Sequence, residues 1–514
     1  MERLECAILD NEYWWGGVVN AGYRMPLGRD SVGLFSPYTG RENDQFAPFY
    51  VSSAGRYIRS ERPFVLSAEG GVIRCEGPGR ITLHEGCGDL KSAYLEASGK
   101  YFPFTGTIPD EMFFTSPQYN TWIELGSKDN TEEGVLRYAR GIIGHGLPAG
   151  VFMIDGGWNE DNGVFEFNYR KFPHPKEMIA ELHAMGFKVM LWTSPIVGSA
   201  GWQYKWLRDR GYLVRAADGE IAVRKWWSGF SAVLDLTNPG AVAWYHSQLD
   251  GLMARCGADG FKFDAGDIYF YADDDRIFRP TTAREATRSF NEAGEKYPLN
   301  EFRAAWDFGG RPIAARLHDK YPTWDGFGLN TLIPHTLVQG LLGYAYCCPD
   351  MVGGGIFDAF GDGRPVDQEL FVRWAQASAY MGMMQMSMAP WRVLSEENAA
   401  LVLDALKTHA AMGREFLRLA RHASVTGEPI VRHMAYEFPG EGLERVQTQF
   451  MLGPDLLVAP VLEKGAADKE VFLPRGTWKA WNGTVYAGGR TVRVPVSLKD
   501  IPTFSIERHA MTRS

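Results

Sequence analysis

One short segment of the chain delivers a lysine and a carboxylate to the same place: Gly260-Phe261-Lys262-Phe263-Asp264-Ala265-Gly266-Asp267. Its two phenylalanines alternate with Lys262 and Asp264, which predicts a strand with aromatic rings on one face and charged groups on the other. At the carboxyl end of a parallel barrel strand, charged groups face a substrate cavity, and an ionised aspartate beside a lysine is suited to nucleophilic attack. A structural ion pair explains this segment alone equally well.

Polar side chains also end several other strand-like runs. They are Asp155, Trp192 and Arg303 at strand ends, Asp350 before a glycine-rich turn, and Asp319, Trp324 and Asp325 in between. Carboxylates interleaved with Trp and Arg predict a buried polar pocket. Cleaving a glycosidic bond with retention requires one carboxylate as nucleophile and a second, about 5 to 5.5 Å away, as acid and then base. Asp264 with one of Asp319, Asp325 or Asp350 meets that requirement.

From about residue 107, strand-like runs alternate with helical ones. The strands are 150–155, 188–192, those around Lys262 and Arg303, and 343–348; the helices lie at about 175–185, 241–255 and 283–297. Repeated units of this length predict parallel strands with crossover helices. Residues 107–425 are long enough for the eight units of a (β/α)₈ TIM barrel, and five of its strands are recognisable in the sequence.

Both ends of the chain have β character instead. Residues 1–106 contain short runs such as 49–51, 64–66 and 80–83, broken by Gly, Pro, Asn and Asp and without a helix-length apolar period. Residues 426–514 contain the runs 450–461, 473–478 and 491–496. We expect an α/β protein in which the barrel is flanked by an N-terminal and a C-terminal β-sandwich.

Composition narrows the class of protein. The chain has 514 residues, a net charge of -9 and an aromatic share of 13%, without a Lys- or Arg-rich run. We therefore expect neither nucleic acid nor an anionic membrane as a partner, and the aromatics suit a protein that stacks on sugars. Six Cys without Cys-x-x-Cys spacing predict reduced thiols and no metal site. The acidic start lacks the apolar core of a signal peptide, which favours a cytoplasmic location. The sequence contains no dinucleotide- or phosphate-binding fingerprint, so we expect no cofactor. A homo-oligomer is compatible with the sequence.

Several motifs in a fixed order resemble glycoside hydrolase family 31. They are Lys262-x-Asp264, Arg303 about 16 residues before Asp319, the run from Pro349 to Gly354, Glu369-Leu370-Phe371-Val372-Arg373-Trp374-Ala375-Gln376, the segment 449–461 and Pro474-Arg475-Gly476-Thr477-Trp478. The likeness covers nearly the whole chain and is loosest in the first 100 residues. It implies exo-acting retaining hydrolysis of α-glycosides.

The resemblance also implies roles for individual residues. It places the nucleophile at Asp264 and the acid/base at Asp319, with Asp325 as the weaker candidate. Asp155, Lys262, Arg303 and Asp350 are expected to bind hydroxyls of the first sugar, with Trp192 as a wall. Trp324, near the acid/base candidates in the sequence, is expected to bind the substrate as well. Other interpretations are an Arg303–Asp350 salt bridge, Trp192 as plain core, and Lys262 as a group that only keeps Asp264 ionised.

Two departures from the family's glucosidases and xylosidases bear on the substrate. Their Arg-x-His after the last strand is replaced by Gln385-Met386-Ser387, and their Trp-x-Asp-x-Asn-Glu by the Lys262 segment. Both departures resemble the α-galactosidase-type branch, which carries Asp-Lys-x-x-x-Trp, Pro-Asp-Met-Val-Gly-Gly and Gln-x-Ser-x-x-Pro-Trp. We therefore expect a small carbohydrate substrate, an α-galactoside or a related oligosaccharide. The alternatives are an α-glucosidase or α-xylosidase, a transglycosylase, and a sugar-binding protein without catalysis.

Overall fold

The computed structural model describes residues 1–38, 45–279, 281–282, 285–360 and 365–507. The N-terminal part forms two mainly antiparallel sheets. Its strands are β1 (Glu2–Ala7), β2 (Trp14–Val18), β3 (Gly33–Phe35), β4 (Gln45–Ser52), β5 (Tyr57–Ser60), β6 (Val65–Glu69), β7 (Val72–Gly77) and β8 (Ile81–His84). One sheet has the order β1-β7-β6-β3, and the other contains β4-β5-β8 with β2 paired to β4. This part matches the predicted β-sandwich.

A helix in this region was absent from the prediction. Helix α1 (Leu90–Tyr101) begins at Asp89, whose side chain accepts a hydrogen bond from the Ser92 N–H. Its buried face is formed by Leu90, Ala93, Tyr94 and Ala97, which is helical spacing. Because two of these four residues are alanines, the apolar period is weak in the sequence although the helix buries a complete face.

The centre of the molecule is a barrel of parallel strands. Strands β9 to β20 are β9 (Gln118–Asn120), β10 (Val151–Ile154), β11 (Lys188–Thr193), β12 (Ile196–Val197), β13 (Val223–Trp226), β14 (Gly229–Val233), β15 (Gly260–Phe263), β16 (Leu299–Phe302), β17 (Ala305–Trp306), β18 (Ala314–Arg316), β19 (Cys347–Cys348) and β20 (Gln385–Met386). Eight of them form one sheet with the order β19-β18-β16-β15-β11-β10-β9-β20. This order confirms the predicted (β/α)₈ TIM barrel.

The barrel is nearly closed between β19 and β20, the two strands that end the sheet order. The Val352 N–H, shortly after β19, donates to the Gln385 carbonyl in β20 (2.9 Å). Three barrel strands were not recognised in the sequence: β9, β18 and β20, of three, three and two residues. Such short strands leave no alternation to detect.

The remaining helices lie before, between and after the barrel strands. They are α2 (Met112–Thr115), α3 (Thr121–Asp129), α4 (Glu132–Gly144), α5 (Pro175–Ala184), α6 (Trp202–Asp209), α7 (Pro239–Cys256), α8 (Ala286–Glu295), α9 (Leu332–Leu341), α10 (Gln368–Ser378), α11 (Pro390–Val393), α12 (Glu396–Ala411), α13 (Gly413–Thr426) and α14 (Met434–Glu437). Helix α7, which precedes β15, shows how the sequence sets the bounds of a helix. Asn238 caps its first turn, Pro239 opens it, and Gly257 ends it with φ +84°, a left-handed conformation that glycine adopts without strain.

Two additional strand segments follow the barrel strands β11 and β16. Strands β12, β13 and β14 form a small antiparallel sheet between β11 and α7, with the order β12-β14-β13. Strand β17, which follows β16, pairs in parallel with β4 of the N-terminal part through Ala305 and Trp306. The N-terminal sheets are therefore attached to the end of the barrel at which β16 finishes.

The C-terminal part is again β structure. Its strands are β21 (Val431–Arg432), β22 (Phe450–Leu452), β23 (Leu456–Val458), β24 (Asp468–Leu473), β25 (Thr477–Ala480), β26 (Val485–Ala487), β27 (Arg490–Pro495) and β28 (Thr503–Ile506). They form sheets of six and two strands. The predicted run 450–461 is a hairpin, because Gly453-Pro454-Asp455 makes the turn between β22 and β23.

All six cysteines are free thiols, and all but Cys87 are buried. Among the residues that the structure describes, no helix combines the length and the apolar character needed to cross a membrane.

Candidate active site

The carboxyl ends of the barrel strands bring charged side chains to one mouth. Asp155 follows β10, Trp192 lies near the end of β11, Lys262 and Asp264 are at the end of β15, and Arg303 follows β16. Asp319 and Asp350 follow β18 and β19 within three residues. Because every barrel strand runs in the same direction, these ends share one face, which is where barrel enzymes place their sites.

Asp264 is held by three hydrogen-bond donors. Its Oδ1 accepts from Arg303 Nε (2.8 Å) and from the Ala265 backbone N–H (2.9 Å), and its Oδ2 accepts from Trp192 Nε1 (3.0 Å). Ala265 takes a positive φ of 55°, a conformation rare for residues with a side chain. Three donors and a constrained following residue fix this carboxylate, and Trp192 is a contact of Asp264 rather than plain core.

The surroundings of Asp264 keep it ionised. Burial alone raises the pKa of a carboxyl group, but the positive charges of Arg303, Lys262 and Arg316 outweigh burial here and place the pKa of Asp264 far below its ordinary value. A carboxylate in such a cationic setting stays deprotonated at any working pH. This is the protonation state that a nucleophile requires.

Arg303 is committed to two carboxylates. Besides Asp264, it forms a two-pronged ion pair with Asp267, from Nη1 to Oδ1 (2.9 Å) and from Nη2 to Oδ2 (2.6 Å). Asp267 is fully buried. A bidentate pair of this kind fixes the guanidinium plane, so Arg303 serves as a rigid support for Asp264. The alternative of an Arg303–Asp350 pair is wrong, because each of the two has a different partner.

Lys262 and Asp155 form a second buried ion pair. Lys262 Nζ lies 2.7 Å from Asp155 Oδ2, and both side chains are almost completely buried. Burial by itself lowers the pKa of a lysine, but the Asp155 charge prevails and raises the pKa of Lys262. Asp155 Oδ1 accepts from the Gly156 N–H (2.8 Å). Lys262 therefore acts on Asp264 through its charge, while its hydrogen bond goes to Asp155.

Asp319 and Asp350 meet at a third cation, Arg316. One nitrogen, Arg316 Nη1, lies 2.8 Å from Asp319 Oδ1 and 3.2 Å from Asp350 Oδ1. The two carboxylates also crowd Gly355, where a Cβ atom would come within 2.9 Å of Oδ1 of each. They differ in exposure, since a third of the Asp319 side chain is accessible and none of that of Asp350.

The pair has more acceptors than donors. Arg316 Nη1 carries two hydrogens and has three acceptors in range: Asp319, Asp350 and the Leu317 carbonyl (2.9 Å). The other Asp350 oxygen accepts from the Lys320 N–H (2.6 Å). Burial first, and the Asp319 charge second, raise the pKa of Asp350 to about 7. The two carboxyl groups therefore hold a proton near neutral pH, as closely spaced carboxylates do.

The two halves of the site influence each other. The Arg316 charge contributes to the low pKa of Asp264, and the Asp319 charge contributes to the raised pKa of Arg303. The sequence-predicted residues Asp155, Trp192, Lys262, Asp264, Arg303, Asp319 and Asp350 thus share one electrostatic neighbourhood at the barrel mouth.

Two predicted residues have contacts elsewhere. The Trp324 indole N–H donates to Asp367 (3.2 Å), which also pairs with Lys464 of the C-terminal part (2.8 Å). Asp325 is exposed, and its Oδ1 accepts from the Thr323 hydroxyl (2.9 Å) in its own turn. The sugar contact of Trp324 stays a prediction, and Asp325 is the weaker of the acid/base candidates on geometry as well.

The two residues that distinguish the chain from the glucosidases lie deep in the barrel. Gln385 donates to Glu301 (2.7 Å) and Gln118 (3.0 Å), and the Ser387 Oγ accepts from the Ile123 N–H (2.9 Å). Both are buried. Their polar groups therefore have hydrogen-bond partners inside the barrel, and an influence of these two residues on the substrate stays a prediction.

Sequence reasoning assigned no role to Arg316, Asp267 or Glu301. Arg316 ends a strand of three residues, and its Nε donates to Glu301 Oε1 (3.1 Å). Asp267 is the last residue of the segment 260–267 and lies three residues beyond the nucleophile candidate. The sequence could have indicated Arg316 and Asp267, because each lies three residues from a candidate catalytic carboxylate, Asp319 and Asp264 respectively.

Comparison with known proteins places the chain in a family. The family description "Glycosyl hydrolases family 31 TIM-barrel domain" matches residues 119–412, more than half of the chain, and "Glycosyl hydrolase family 31 C-terminal domain" matches residues 427–508. The chain belongs to glycosyl hydrolase family 31. The family resemblance inferred from the sequence motifs is thereby confirmed.

Among curated relatives, the myogenesis-regulating glycosidase of Mus musculus is 32% identical over 423 residues, covering 80% of this chain and 58% of the relative. Alpha-xylosidase XylQ of Lactiplantibacillus pentosus is 25% identical over 484 residues, covering 86% and 60%. The chain thus spans about three fifths of the length of these relatives.

Solved structures share the fold. A family 31 alpha-xylosidase from a soil metagenome, complexed with xylose, superposes with a TM-score of 0.84 at 23% identity, covering 99% of this chain and 79% of that one. A Flavobacterium johnsoniae family 31 dextranase, complexed with glucose, gives 0.83 at 21% identity, covering 98% and 66%. At this level of identity the likeness establishes the architecture alone.

Proposed function

We propose that the protein is a retaining, exo-acting α-glycoside hydrolase with Asp264 as nucleophile and Asp319 as acid/base. The observation that supports this proposal most is the contrast between two carboxyl groups at the same end of the barrel. Asp264 is fixed and ionised by Arg303, Lys262 and Trp192, whereas Asp319 is partly accessible and shares Arg316 with a protonatable neighbour. Retaining hydrolysis requires one carboxyl group of each kind.

The reaction proceeds in two displacements. Asp264 attacks the anomeric carbon while Asp319 gives its proton to the departing glycosidic oxygen, so that the carbon–oxygen bond to the leaving group breaks and a glycosyl ester forms. Asp319, now ionised, then takes a proton from water as that water attacks the same carbon and releases Asp264. Asp155, Lys262, Arg303 and Asp350 surround the sugar, with Trp192 as a wall.

For the glycone we propose an α-galactoside. The Lys262–Asp155 pair lies next to the proposed nucleophile and contains a donor and an acceptor that we expect to bind a sugar hydroxyl. The end of β20 carries the buried Gln385 and Ser387 where the glucosidases carry Arg and His. A site whose polar groups bind the axial 4-hydroxyl of galactose leaves those groups without a partner when glucose, with an equatorial 4-hydroxyl, is bound.

An α-glucosidase or α-xylosidase is the second candidate, and the names of relatives such as XylQ and the human neutral alpha-glucosidase C favour it. A transglycosylase uses the same glycosyl ester with a sugar as acceptor. The retained pair of carboxyl groups speaks against a sugar-binding protein without catalysis.

A panel of p-nitrophenyl α-glycosides tests the substrate. We expect kcat/KM to be at least about a hundredfold higher for the α-galactoside than for the α-glucoside and the α-xyloside. A difference of this size is expected when a buried polar contact is made with one substrate and is broken with the other. Equal or reversed rates would replace the galactosidase proposal by the glucosidase one. NMR of the first product tests retention, since an inverted anomer contradicts a nucleophilic Asp264.

Four further proposals accompany this function: the domain boundaries, the location, the absence of a cofactor and a homo-oligomer. We place the domain boundaries at 106/107 and 425/426, and the family-matched ranges 119–412 and 427–508 lie within the second and third domains. We propose a cytoplasmic protein that acts without a cofactor, and size-exclusion chromatography with light scattering tests for a homo-oligomer.

A further inference from the structure

A glutamine of the N-terminal part lies against the end of the barrel. Gln45, the first residue of β4, is completely buried. Strand β17 pairs with β4 in parallel, with Ala305 opposite Gln45 and Trp306 opposite Phe46. The backbone of Gln45 is thus tied to the segment that follows β16, next to the residues that carry the proposed chemistry.

The side chain of Gln45 joins the ends of two barrel strands. Its Nε2 donates to the backbone carbonyl of Arg303 (2.6 Å) and to that of Arg316 (2.9 Å). An amide NH₂ group carries two hydrogens, so each carbonyl receives one. The ladder between β16 and β18 ends at Phe302 and Ala315, and the two arginines follow directly. Gln45 therefore connects the two strands just beyond their last backbone pair.

A second glutamine, Gln339 of α9, orients the first. It is also completely buried, and its Nε2 donates to Gln45 Oε1 (2.8 Å) and to the Ala315 carbonyl (3.0 Å). Because a carbonyl oxygen accepts and cannot donate, this contact determines which end of the Gln45 amide faces the two arginine carbonyls. Breaking such a buried network leaves polar groups without partners, which is unfavourable. The amide is therefore fixed before a substrate binds.

The two arginines that Gln45 joins serve opposite sides of the pocket. Arg303 Nε donates to Asp264 (2.8 Å), and Arg316 Nη1 donates to Asp319 (2.8 Å). Each guanidinium extends from a residue whose carbonyl Gln45 holds, so the spacing of the two strand ends affects the spacing of the two carboxyl groups. Retaining hydrolysis depends on that spacing, and a misplacement of about 1 Å lowers a rate by about a hundredfold.

We propose that Gln45 is a positioning residue that sets the spacing of the two proposed catalytic carboxyl groups through the backbone of Arg303 and Arg316. This assignment rests on the proposed glycosidase function and goes beyond it by giving the N-terminal part a role in the chemistry. Gln45 is completely buried and does not meet the substrate. Its removal should therefore lower turnover rather than affinity.

Steady-state kinetics of Gln45→Met test this role, because methionine has a similar length and no hydrogen-bond donor. One substrate is an α-galactosyl fluoride, whose leaving group needs no proton, and the other is methyl α-galactoside, which requires the acid/base; the glucosyl counterparts replace them if the unaltered protein prefers glucosides. We expect kcat to fall at least about tenfold on both substrates and KM to stay within about threefold. Gln45→Glu should recover part of kcat at about pH 5, where the buried carboxyl group keeps a proton to donate.

Gln449→Met is the matched control. Gln449 is a buried glutamine of the C-terminal part, whose Nε2 donates to the Phe472 carbonyl (2.8 Å) and whose Oε1 accepts from the Phe472 N–H (2.9 Å). Its replacement should lower the thermal unfolding temperature and leave kcat unchanged. An unchanged kcat in folded Gln45→Met, a loss on one substrate only, or a change in KM alone would overturn the proposal.

A titration without turnover separates this proposal from the proposed function. Infrared difference spectra between about pH 5 and about pH 9 follow the carboxyl pair that Arg316 serves, in which the pKa of Asp350 is about 7. A displaced Arg316 stabilises the ionised form less, so Gln45→Met should raise the midpoint by at least about half a pH unit, and Gln449→Met should not.

Failure of the proposed function has its own signature. If the unaltered protein cleaves no α-glycoside, the glycosidase proposal fails, and the titration then decides the role of Gln45, because an unchanged midpoint in folded Gln45→Met overturns it. If Gln45→Met does not fold, Gln339→Met takes its place. That variant removes the hydrogen bond that orients Gln45, so the same losses in kcat and the same shift are expected at smaller size, and their absence contradicts the proposal.

Discussion

The proposed nucleophile side and the proposed acid/base side of the pocket have opposite balances of hydrogen-bond donors and acceptors. Asp264 has two oxygens and three donors, from Arg303, Ala265 and Trp192. On the other side, a single nitrogen of Arg316 serves two carboxylates and a carbonyl. Surplus donors hold a carboxylate ionised, and surplus acceptors retain a proton. Together with the nearby charges and burial, this difference in donor count distinguishes the two proposed chemical roles.

The two sides also differ in rigidity and access. The support of Asp264 is buried and cross-linked, because Arg303 is clamped by Asp267. Asp319 has a third of its side chain accessible. A nucleophile benefits from a fixed position at the anomeric carbon, whereas a group that serves first the leaving oxygen and then water needs contact with both.

The largest effect is expected from removing the charge on the donor-rich side. Asp264→Asn keeps the shape but cannot form the glycosyl ester, so kcat/KM should fall by about four to six orders of magnitude. Binding of the product sugar, measured by calorimetry, should persist. Asp325→Asn is the control, because Asp325 is exposed in its own turn and should retain full activity. If Asp264→Asn kept a hundredth of the kcat/KM of the unaltered protein, the assignment of Asp264 as nucleophile would be refuted.

A smaller and substrate-dependent loss is expected on the acceptor-rich side. Asp319→Ala removes the proton donor, so natural glycosides should lose about two to four orders of magnitude in kcat/KM, and substrates with good leaving groups much less. Added azide should restore the second step and yield a glycosyl azide of retained configuration. If Asp350→Ala or Asp325→Ala is rescued by azide instead, the acid/base role moves to that residue.

This contrast could be foreseen from the sequence only in part. Asp264 and Trp192 were found because β15 and β11 are four and six residues long and show a recognisable strand pattern. Arg316 was missed because β18 has three residues. The run 343–348 was predicted as one strand, yet only Cys347 and Cys348 pair with a neighbour. Strand length set the limit of the prediction.

Donor counts lie beyond any sequence pattern. That Arg303 pairs with Asp264 and Asp267, and Asp350 with Arg316, depends on which strands are neighbours in the barrel. The sequence offered the right residue types and several possible pairings. Similarly, Gln385 was expected to matter for the sugar and instead donates to Glu301 inside the barrel, because a two-residue strand places it facing inward.

The pH dependence should report the two sides separately. The pKa of Asp264 is far below its ordinary value, so the nucleophile stays ionised and should produce no acidic limb above about pH 4. The carboxyl pair loses its proton as pH rises through the Asp350 pKa of about 7. We expect kcat/KM for a substrate with a poor leaving group to fall about tenfold per pH unit above that point. A fluoride leaving group needs no proton, so a basic limb of equal depth on the glycosyl fluoride would contradict this account.

The smallest expected effect is a displacement of that basic limb. Asp350→Asn replaces an ionisable neighbour of Asp319 by a neutral one and keeps an acceptor for the Arg316 N–H. Because a like charge raises the pKa of a carboxyl group and its removal lowers it, the basic limb of kcat/KM should move to lower pH by about one unit. Thermal unfolding at pH 5 controls for folding, and a limb that stays in place in a folded variant would show that Asp350 takes no part in holding the catalytic proton.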